Sequence, residues 1–433
     1  MLKKAFRLMV LCACGTLALL LLPNGPLVGL ILGKASQQQQ RQQQAAPAAA
    51  AASGAARKTI EIKRAPARVV RDPYSSFSAV AVDVARNEII LQDENHGQIT
   101  VYGRMDNTPP RATLTEPRRV IGGSNTKIAM NCGVYVDPNT GDIYSVNGDI
   151  EHWLTVWSRE KKGNVAADRE LVTPHRTFGV VVDEEAKELF ITTQHPASVV
   201  VWPKMANGKD APLRILEGEK TRLATAQGIA VDPKNQLLYV SNQGAFARLN
   251  NNVGWARTWQ PGAATWEITD RILDFVPGSG EYRDPSINVY PLKANGDTPP
   301  LRVIQGSQTR LNWPSLISLD IENQELYVTG PVTHEILVFR ANDNGNVAPI
   351  RVLKGPRTGI SHPNGVFVDN KNDELVVANF GNHSSTVYRR TASGDTPPIR
   401  TIRAAPADAP SPMFGRIGAM TYDTKRNEVL TFN

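Results

Sequence analysis

This chain predicts an all-β fold, seven four-stranded antiparallel sheets arranged in a ring, on three observations. An aspartate followed six residues later by the first apolar residue of a β-rich run recurs seven times, as Asp83/Ile89, Asp137/Ile143, Asp183/Leu189, Asp232/Leu238, Asp320/Leu326, Asp369/Leu375 and Asp423/Val429. A β-branched residue followed by an aromatic recurs six times, at Val101-Tyr102, Val156-Trp157, Val201-Trp202, Val289-Tyr290, Val338-Phe339 and Val387-Tyr388. Asn, Asp, Gly and Pro separate every run, so each copy reads as a meander of strands A to D. One such sheet leaves both faces bare, whereas sheets set round an axis cover one another, which is the architecture of a β-propeller.

Residues 364–402 show the unit most clearly. Strand A is Asn364-Gly365-Val366-Phe367-Val368-Asp369, strand B Leu375-Val376-Val377-Ala378-Asn379 and strand C Ser385-Thr386-Val387-Tyr388. Gly394-Asp395-Thr396-Pro397-Pro398 then leads into strand D, Ile399-Arg400-Thr401-Ile402. Strand D is expected to carry an arginine in each copy, at Arg111, Arg169, Arg214, Arg302, Arg351 and Arg400. After Asp423 the chain has room for A and B only, and Pro66-Ala67-Arg68-Val69-Val70 repeats the D pattern, with Ile60-Glu61-Ile62 as its strand C. The expectation is therefore a ring closed by N-terminal strands pairing with the C-terminal A–B hairpin, so that no sheet edge is left open.

The formal charge of +7 does not point to nucleic acid. Six of the positive charges, Lys3, Lys4, Arg7, Lys34, Arg41 and Arg57, fall in residues 1–57 with no acid among them, leaving the repeats near neutral and without the basic patch nucleic-acid binding needs. The basic start precedes apolar residues 8–22, and a second apolar stretch continues to residue 33. Residues 1–35 thus read as a signal peptide or a membrane anchor, with residues 8–33 the tether in the second case. Either places the domain outside the cytoplasm, in the periplasm, on the membrane or beyond the cell. Residues 36–57, rich in Gln and Ala, form a disordered linker, and 58–433 the propeller. Within it Cys132 is the single cysteine, so no disulfide is available, and its place at the start of a strand A makes it a small buried apolar residue.

The units Leu238-Tyr239-Val240-Ser241-Asn242, Leu326-Tyr327-Val328-Thr329-Gly330 and Leu375-Val376-Val377-Ala378-Asn379 resemble the YVTN and NHL classes of propeller repeat. Gly-Asp-Thr-Pro-Pro-x-Arg at 296–302 and 394–400 looks like that of exported bacterial, lactonase-like propellers. The resemblance implies the fold; for activity it implies only that a gluconolactonase-like hydrolase with an axial site is the alternative to a binding module.

In a meander the A–B turns and C–D loops share one face, and the B–C loops and D-to-A crossings share the other. By analogy with other propellers, function is expected on the second face, near the axis. The seven histidines all fall there: His96, His152, His195, His334 and His383 in B–C loops, His175 and His362 in crossings. Copies in successive B–C loops stand too far apart to share one ion at about 2 Å, so no metal is expected. The axial candidates are His175 and His362 with Asn131, Gln227 and Asn364 at strand-A starts. Those three are amides where a hard cation prefers at least one carboxylate, and the repeated aspartates sit at A–B turns on the opposite face, where each caps its own turn. The crossing motif Gly-x-x-Thr-Lys/Arg-Leu/Ile, at 123–128, 218–223 and 306–311, reads as a structural turn.

One departure from repetition stands out. Blade 4 carries a B–C insertion over about residues 243–286 with Trp255, Trp259, Trp266, Phe246, Phe275 and Tyr282. An ordinary connection has no reason to be this aromatic. The insertion packs on itself, covers the channel mouth as a lid, or recognises a partner through Trp255, Trp259, Trp266, Phe275 and Tyr282. With no nucleophile–base–acid set in the repeats, the expected function is an exported, non-catalytic binding or scaffold module without cofactor, its partner a protein or cell-envelope ligand.

Overall fold

The computed structural model describes residues 72–148, 152–194, 196–248, 276–409, 411, 419–423 and 428–432. The chain divides into two units, 1–71 and 72–433, and every described residue belongs to the second. The expected export segment, linker and the strands around Arg68 lie outside the described residues.

Six four-stranded antiparallel blades are present among the described residues, each in the order A-B-C-D. Their strands A are Phe77–Asp83, Asn131–Val136, Thr177–Asp183, Ala226–Asp232, Ile317–Asp320 and Pro363–Asp369. The seventh aspartate repeat forms only a hairpin, Ala419–Asp423 paired with Glu428–Phe432. The expected count of seven is thus corrected to six, and the reason is packing. Strand A of blade 6 lies directly against strand A of blade 1, leaving no gap for a further sheet between them. Asn364 Nδ2 donates to Ser78 O across this seam at 2.9 Å.

Six hydrophobic cores, one at each seam, fill the spaces between neighbouring blades. The 6–1 seam is built like the rest, with Val376, Ala378, Val387 and Ile402 of blade 6 against Val80, Val82, Leu91 and Tyr102 of blade 1. Strand-C aromatics supply the largest wedges. Trp157, Trp202, Tyr102, Tyr290, Phe339 and Tyr388 are all fully buried, each contributing on the order of 2 kcal/mol by removing apolar surface from water. Tyr290 Oη donates to Thr221 O at 2.6 Å and Trp202 Nε1 to Asp210 O at 3.0 Å, whereas Trp157 Nε1 is buried without a hydrogen-bond partner.

Both sequence signatures prove to be blade-to-blade clasps. The glycine of each C–D loop forms an isolated parallel bridge with strand D of the preceding blade, as Ile121 with Gly163, Leu171 with Gly208, Leu216 with Gly296, Ile304 with Gly345 and Leu353 with Gly394. In all of these but the Gly208 loop, the Asn or Asp that follows caps a 3-10 turn in the preceding crossing. Asp297 Oδ1 accepts from Lys220 N, and Asp395 Oδ1 from Arg357 N, both at 2.7 Å. Gly218 opens such a turn at φ 135 with Asp297 Oδ1 2.3 Å from where a Cβ would sit, so only glycine fits. The motif threonine closes the turn by donating back, Thr221 Oγ1 to Gly218 O at 2.6 Å. At the 6–1 seam Thr108 takes over, its N donating to Thr401 O at 2.7 Å.

Strand-D arginines bind an acid of their own blade, as Arg119 and Arg351 do, or a carbonyl of the next, as Arg169 and Arg302 do, and Arg214 and Arg400 do both. Arg214 pairs with Glu188 at 2.7 Å and donates to Leu292 O at 3.2 Å; Arg400 pairs with Glu374 at 2.6 Å and donates to Arg104 O at 3.1 Å, again joining blade 6 to blade 1. In blade 1 the arginine in this role is Arg119, paired with Glu88 at 2.9 Å, rather than the expected Arg111. The C–D connection there runs from 104 to 118, and its Thr108-Pro109-Pro110-Arg111 imitates the usual lead into strand D several residues early.

Candidate functional site

On the A–B face each aspartate of the six blades caps its own turn, and Asp137 and Asp320 also bond the next blade through Lys204 and Asn370. Asp83 Oδ1 accepts from Arg86 N, Asp137 from Asn139 N, Asp183 from Glu185 N, Asp232 from Asn235 N, Asp320 from Asn323 N and Asp369 from Asn372 N, all within 3.1 Å. The six carboxylates are nearly inaccessible. The capping role expected of them is the one they have.

At the axis, the starts of the inner strands form a polar collar on the B–C side. Ser315 Oγ donates to Asn364 Oδ1 at 2.6 Å, and Ser78 Oγ donates to Asn131 O at 2.9 Å. Asn131 Nδ2 is held by Gln98 O at 3.1 Å, and Thr192 Oγ1 donates to Gln227 O. Asn131 Oδ1 and Gln227 Nε2 are buried without a hydrogen-bond partner. The three axial amides of the sequence reading therefore belong to one collar that ties blades together. They do not line the cavity in the ring, whose walls are the later residues of the same strands.

The crossings place His175 and His362 beside the B–C loop histidine of the preceding blade. His152 Nε2 and His175 Nδ1 are 3.1 Å apart. His362 N donates to His334 Nδ1 at 2.8 Å; a backbone N–H can only donate, so the His334 proton sits on Nε2. His362 also lies against Phe380, ring centroids 5.9 Å apart, and adopts φ 46. Burial first, then the neighbouring His334, pushes the His362 pKa down to about 4, and burial lowers that of His334 as well. The sign follows directly: the folded pKa lies below the unfolded value of 6.5, so the unfolded chain binds more protons and the contribution is lost as pH falls from 6.5 through 4. The amide protons of His362 and Phe380, which bonds His362 O, should exchange faster relative to unstructured peptide rates as pH drops through that window. Protection that stays constant from pH 6.5 to 4 would rule this out.

The other described loop histidines serve structure. His383 is buried, its Nδ1 2.7 Å from Ser75 O and its Nε2 3.3 Å from Asp72 Oδ2, which pins the segment before blade 1 to blade 6. His96 Nδ1 lies 2.7 Å from Asp93 Oδ2, a bond that raises its pKa. His195 lies outside the described residues. Among the described residues no three His, Cys, Asp or Glu side chains converge as metal ligands do. Cys132 is buried, with its Sγ 3.3 Å from Met130 O.

The insertion in blade 4 rises from the continuation of strands B and C. Ala245–Phe246 pairs with Glu281–Tyr282, and strand C begins at Ser286, so the insertion ends one residue earlier than expected. Gly244 N donates to Ala224 O and Thr225 Oγ1 to Ala245 O, which fasten the root to the crossing into blade 4. The Arg283 guanidinium lies 3.7 Å from the centre of the Phe246 ring and pairs with Glu281. Tyr282 keeps 60% of its surface exposed. Trp255, Trp259, Trp266 and Phe275 lie outside the described residues.

The sequence reading looked for the axial site at the collar and missed Tyr135, Val181, Leu319 and Phe367, inner-strand residues that face the ring cavity. Two of these positions are recoverable, because Tyr135 and Phe367 stand two residues before Asp137 and Asp369 and alternate with the buried Val134 and Val366, which face the other way.

These features define a class, the β-propeller of four-stranded repeat blades. No protein-family model matches the chain, and no curated protein matches it in sequence. Among solved structures it is similar to Kuenenia stuttgartiensis hydrazine synthase at 10% identity with a TM-score of 0.47, over 77% of this chain and 100% of that one.

Proposed function

We propose that the chain is an exported binding or scaffold propeller of NHL/YVTN type, anchored or released beyond the cytoplasm, that recognises a protein or cell-envelope ligand through its B–C face. The observation that carries this reading is the root of the blade 4 insertion. A short hairpin fixed to the blade raises Tyr282, 60% exposed, and the Arg283–Phe246 stack above the face. Rigid aromatic side chains with a polar tip bury much area on contact while losing little freedom, which suits recognition. The carboxylates that would favour a cation-dependent hydrolase are the turn aspartates, already engaged on the other face. Trp255, Trp259, Trp266 and Phe275 are assigned to the same contact from the sequence.

Affinity capture from an envelope extract tests the reading. The intact chain is expected to enrich a defined ligand, and a variant with 249–275 replaced by a short Gly-Ser link, together with Tyr282→Ala, is expected to lose it while unfolding at the same temperature. Equal recovery by both proteins would count against the insertion as the contact. Fractionation tests export on its own: a chain found only in the cytosol overturns that part.

A further inference from the structure

We propose that the B–C end of the seam between blades 2 and 3 is a binding site for a cationic side chain of a polypeptide partner, with Glu217 and Thr173 as its acceptors. The crossings into blades 2, 4 and 5 show what such a seam end holds. Each makes a 3-10 turn followed by a basic residue in the left-handed region, Lys127, Arg222 and Arg310. That residue bonds the blade it leads into: Lys127 to Glu170 at 2.6 Å, Arg222 to Gln305 Oε1 at 2.7 Å and Arg310 to Glu335 at 2.6 Å.

The crossing into blade 3 breaks the pattern. It spans only 173–176, where the others run 123–130 and 218–225, and it makes no 3-10 turn. Its left-handed residue, Arg176, directly precedes strand A, in the place of Met130 and Thr225 rather than of Lys127 and Arg222. Blade 3 nonetheless presents an acid to this seam. Glu217 ends strand D two residues after Ile215, which packs in the core between blades 2 and 3, so alternation turns both toward blade 2. From the blade 2 side, Thr173 follows Leu171 of the same core by the same interval, and it stands where the other crossings have Gly123 and Gly218. Glu217 Oε2 is buried without a hydrogen-bond partner, and so is Oγ1 of Thr173, a residue with no exposed surface. No charged group acts on the Glu217 carboxyl; burial alone raises its pKa, to about 7.

Two acceptor oxygens at one seam end select a donor that carries positive charge, because pairing returns to the carboxylate what burial takes from it. A hard metal ion is a poor match, since it takes about six to eight oxygens and no three acidic or histidine side chains converge among the described residues. A guanidinium or ammonium group is what the sister seams hold in this position. Access is from the rim: Glu217 keeps part of its surface exposed, and Gly218, Glu219 and Lys220 beyond it are exposed. The site adjoins the blade 4 insertion, whose Arg248 pairs with Glu219 at 3.0 Å, so a partner held by the insertion has Glu217 within reach.

Of the proposed function the site needs only that partners meet the B–C face, and a free peptide probes it whether or not the insertion is the contact. Carboxyl-carbon NMR of the full chain, labelled at glutamate, follows the Glu217 titration with and without acetyl-Gly-Arg-Gly-amide. At saturation the peptide is expected to lower the Glu217 pKa from about 7 to about 6 or below, a tenfold preference for the ionised carboxylate. The citrulline counterpart, alike in shape but neutral, is expected to leave it unchanged. In calorimetry at about pH 8, where the carboxyl is ionised, Glu217→Gln is expected to weaken binding of the arginine peptide at least about tenfold and Thr173→Val about threefold, with folding verified by circular dichroism. Thr173→Val preserves the side-chain shape and, with the wild-type titration, decides the matter if Glu217→Gln does not fold. A Glu217 pKa that the arginine peptide does not move, equal binding of the arginine and citrulline peptides, or unchanged affinity in the folded variants would overturn the site.

Discussion

Replacing Lys204 by methionine is expected to lower the unfolding free energy by about 3–5 kcal/mol, because it leaves two carboxylates at a blade seam without their cation. Lys204 Nζ lies 2.5 Å from Asp137 Oδ2 of blade 2 and 2.7 Å from Glu184 of blade 3, with the Lys204 and Asp137 side chains 7% and 4% exposed. Burial, the largest single influence, raises both carboxyl pKa values, but the bonds from Lys204, joined by Asn139 N at Asp137 and by Tyr135 and Lys187 at Glu184, together hold both below their ordinary range; the bonds to the two carboxylates, against burial, raise that of Lys204. Each shift has its own window. The carboxylates' contribution is present above their unfolded pKa values and is lost as pH falls through the lower folded ones. The lysine's is present below its unfolded value of 10.5 and is lost as pH rises through a higher folded one. Urea unfolding of wild type and Lys204→Met should therefore differ most between about pH 5 and pH 10 and converge in acid. A difference below about 1 kcal/mol at pH 7 would show that the triad behaves like a surface pair.

Gly365→Val is expected to cost about 3 kcal/mol, at the upper end of what overpacking does, because it strikes the seam that closes the ring. A Cβ on Gly365 would stand 2.8 Å from Ala79 Cα and 2.9 Å from Val80 N. Both neighbours are backbone of blade 1, so no rotamer change relieves the contact and the two inner strands must part. A chain ending at Ser411, which lacks the last hairpin, is expected to unfold with nearly wild-type stability, since that hairpin pairs only with itself among the described residues. The two variants together discriminate the ring size: a seven-bladed ring would be insensitive to Gly365→Val at a 6–1 contact and would be opened by the truncation.

Much of this architecture is written in single residues. The aspartate six before strand B is legible because the turn it caps is local, three residues closed by one carboxylate, and chain neighbours alone determine it. The strand-C aromatic is legible because alternation along one strand shows which face is buried. The Gly-Asp-Thr-Pro-Pro phrase was visible, but its task was not, because its glycine and its acid act on the preceding blade, 77 residues away in the case of Asp297 and Lys220. Arg111 was misread for a local reason: Pro-x-Arg occurs both there and at Pro117-Arg118-Arg119, and spacing alone cannot tell which one pairs with Glu88. For the site, Tyr282 and the root of the insertion follow from a break in periodicity, while the pairing of His334 with His362, and of His152 with His175, required two loops from different connections to be brought together.

Sequence alone determined the blade: four strands, their order, the turn aspartates and the buried aromatics, all of which depend on residues within about fifty positions of one another. The tertiary structure decided how many blades make a ring. Seven repeats of a short motif are compatible with either six or seven sheets, and the choice rests on whether Gly365 and Ala79 come close enough for two inner strands to touch, a contact between residues 286 positions apart that no local pattern encodes. With that contact made, six inner strands enclose the lumen, the amides at the B–C end become a collar, and the final hairpin pairs only with itself among the described residues.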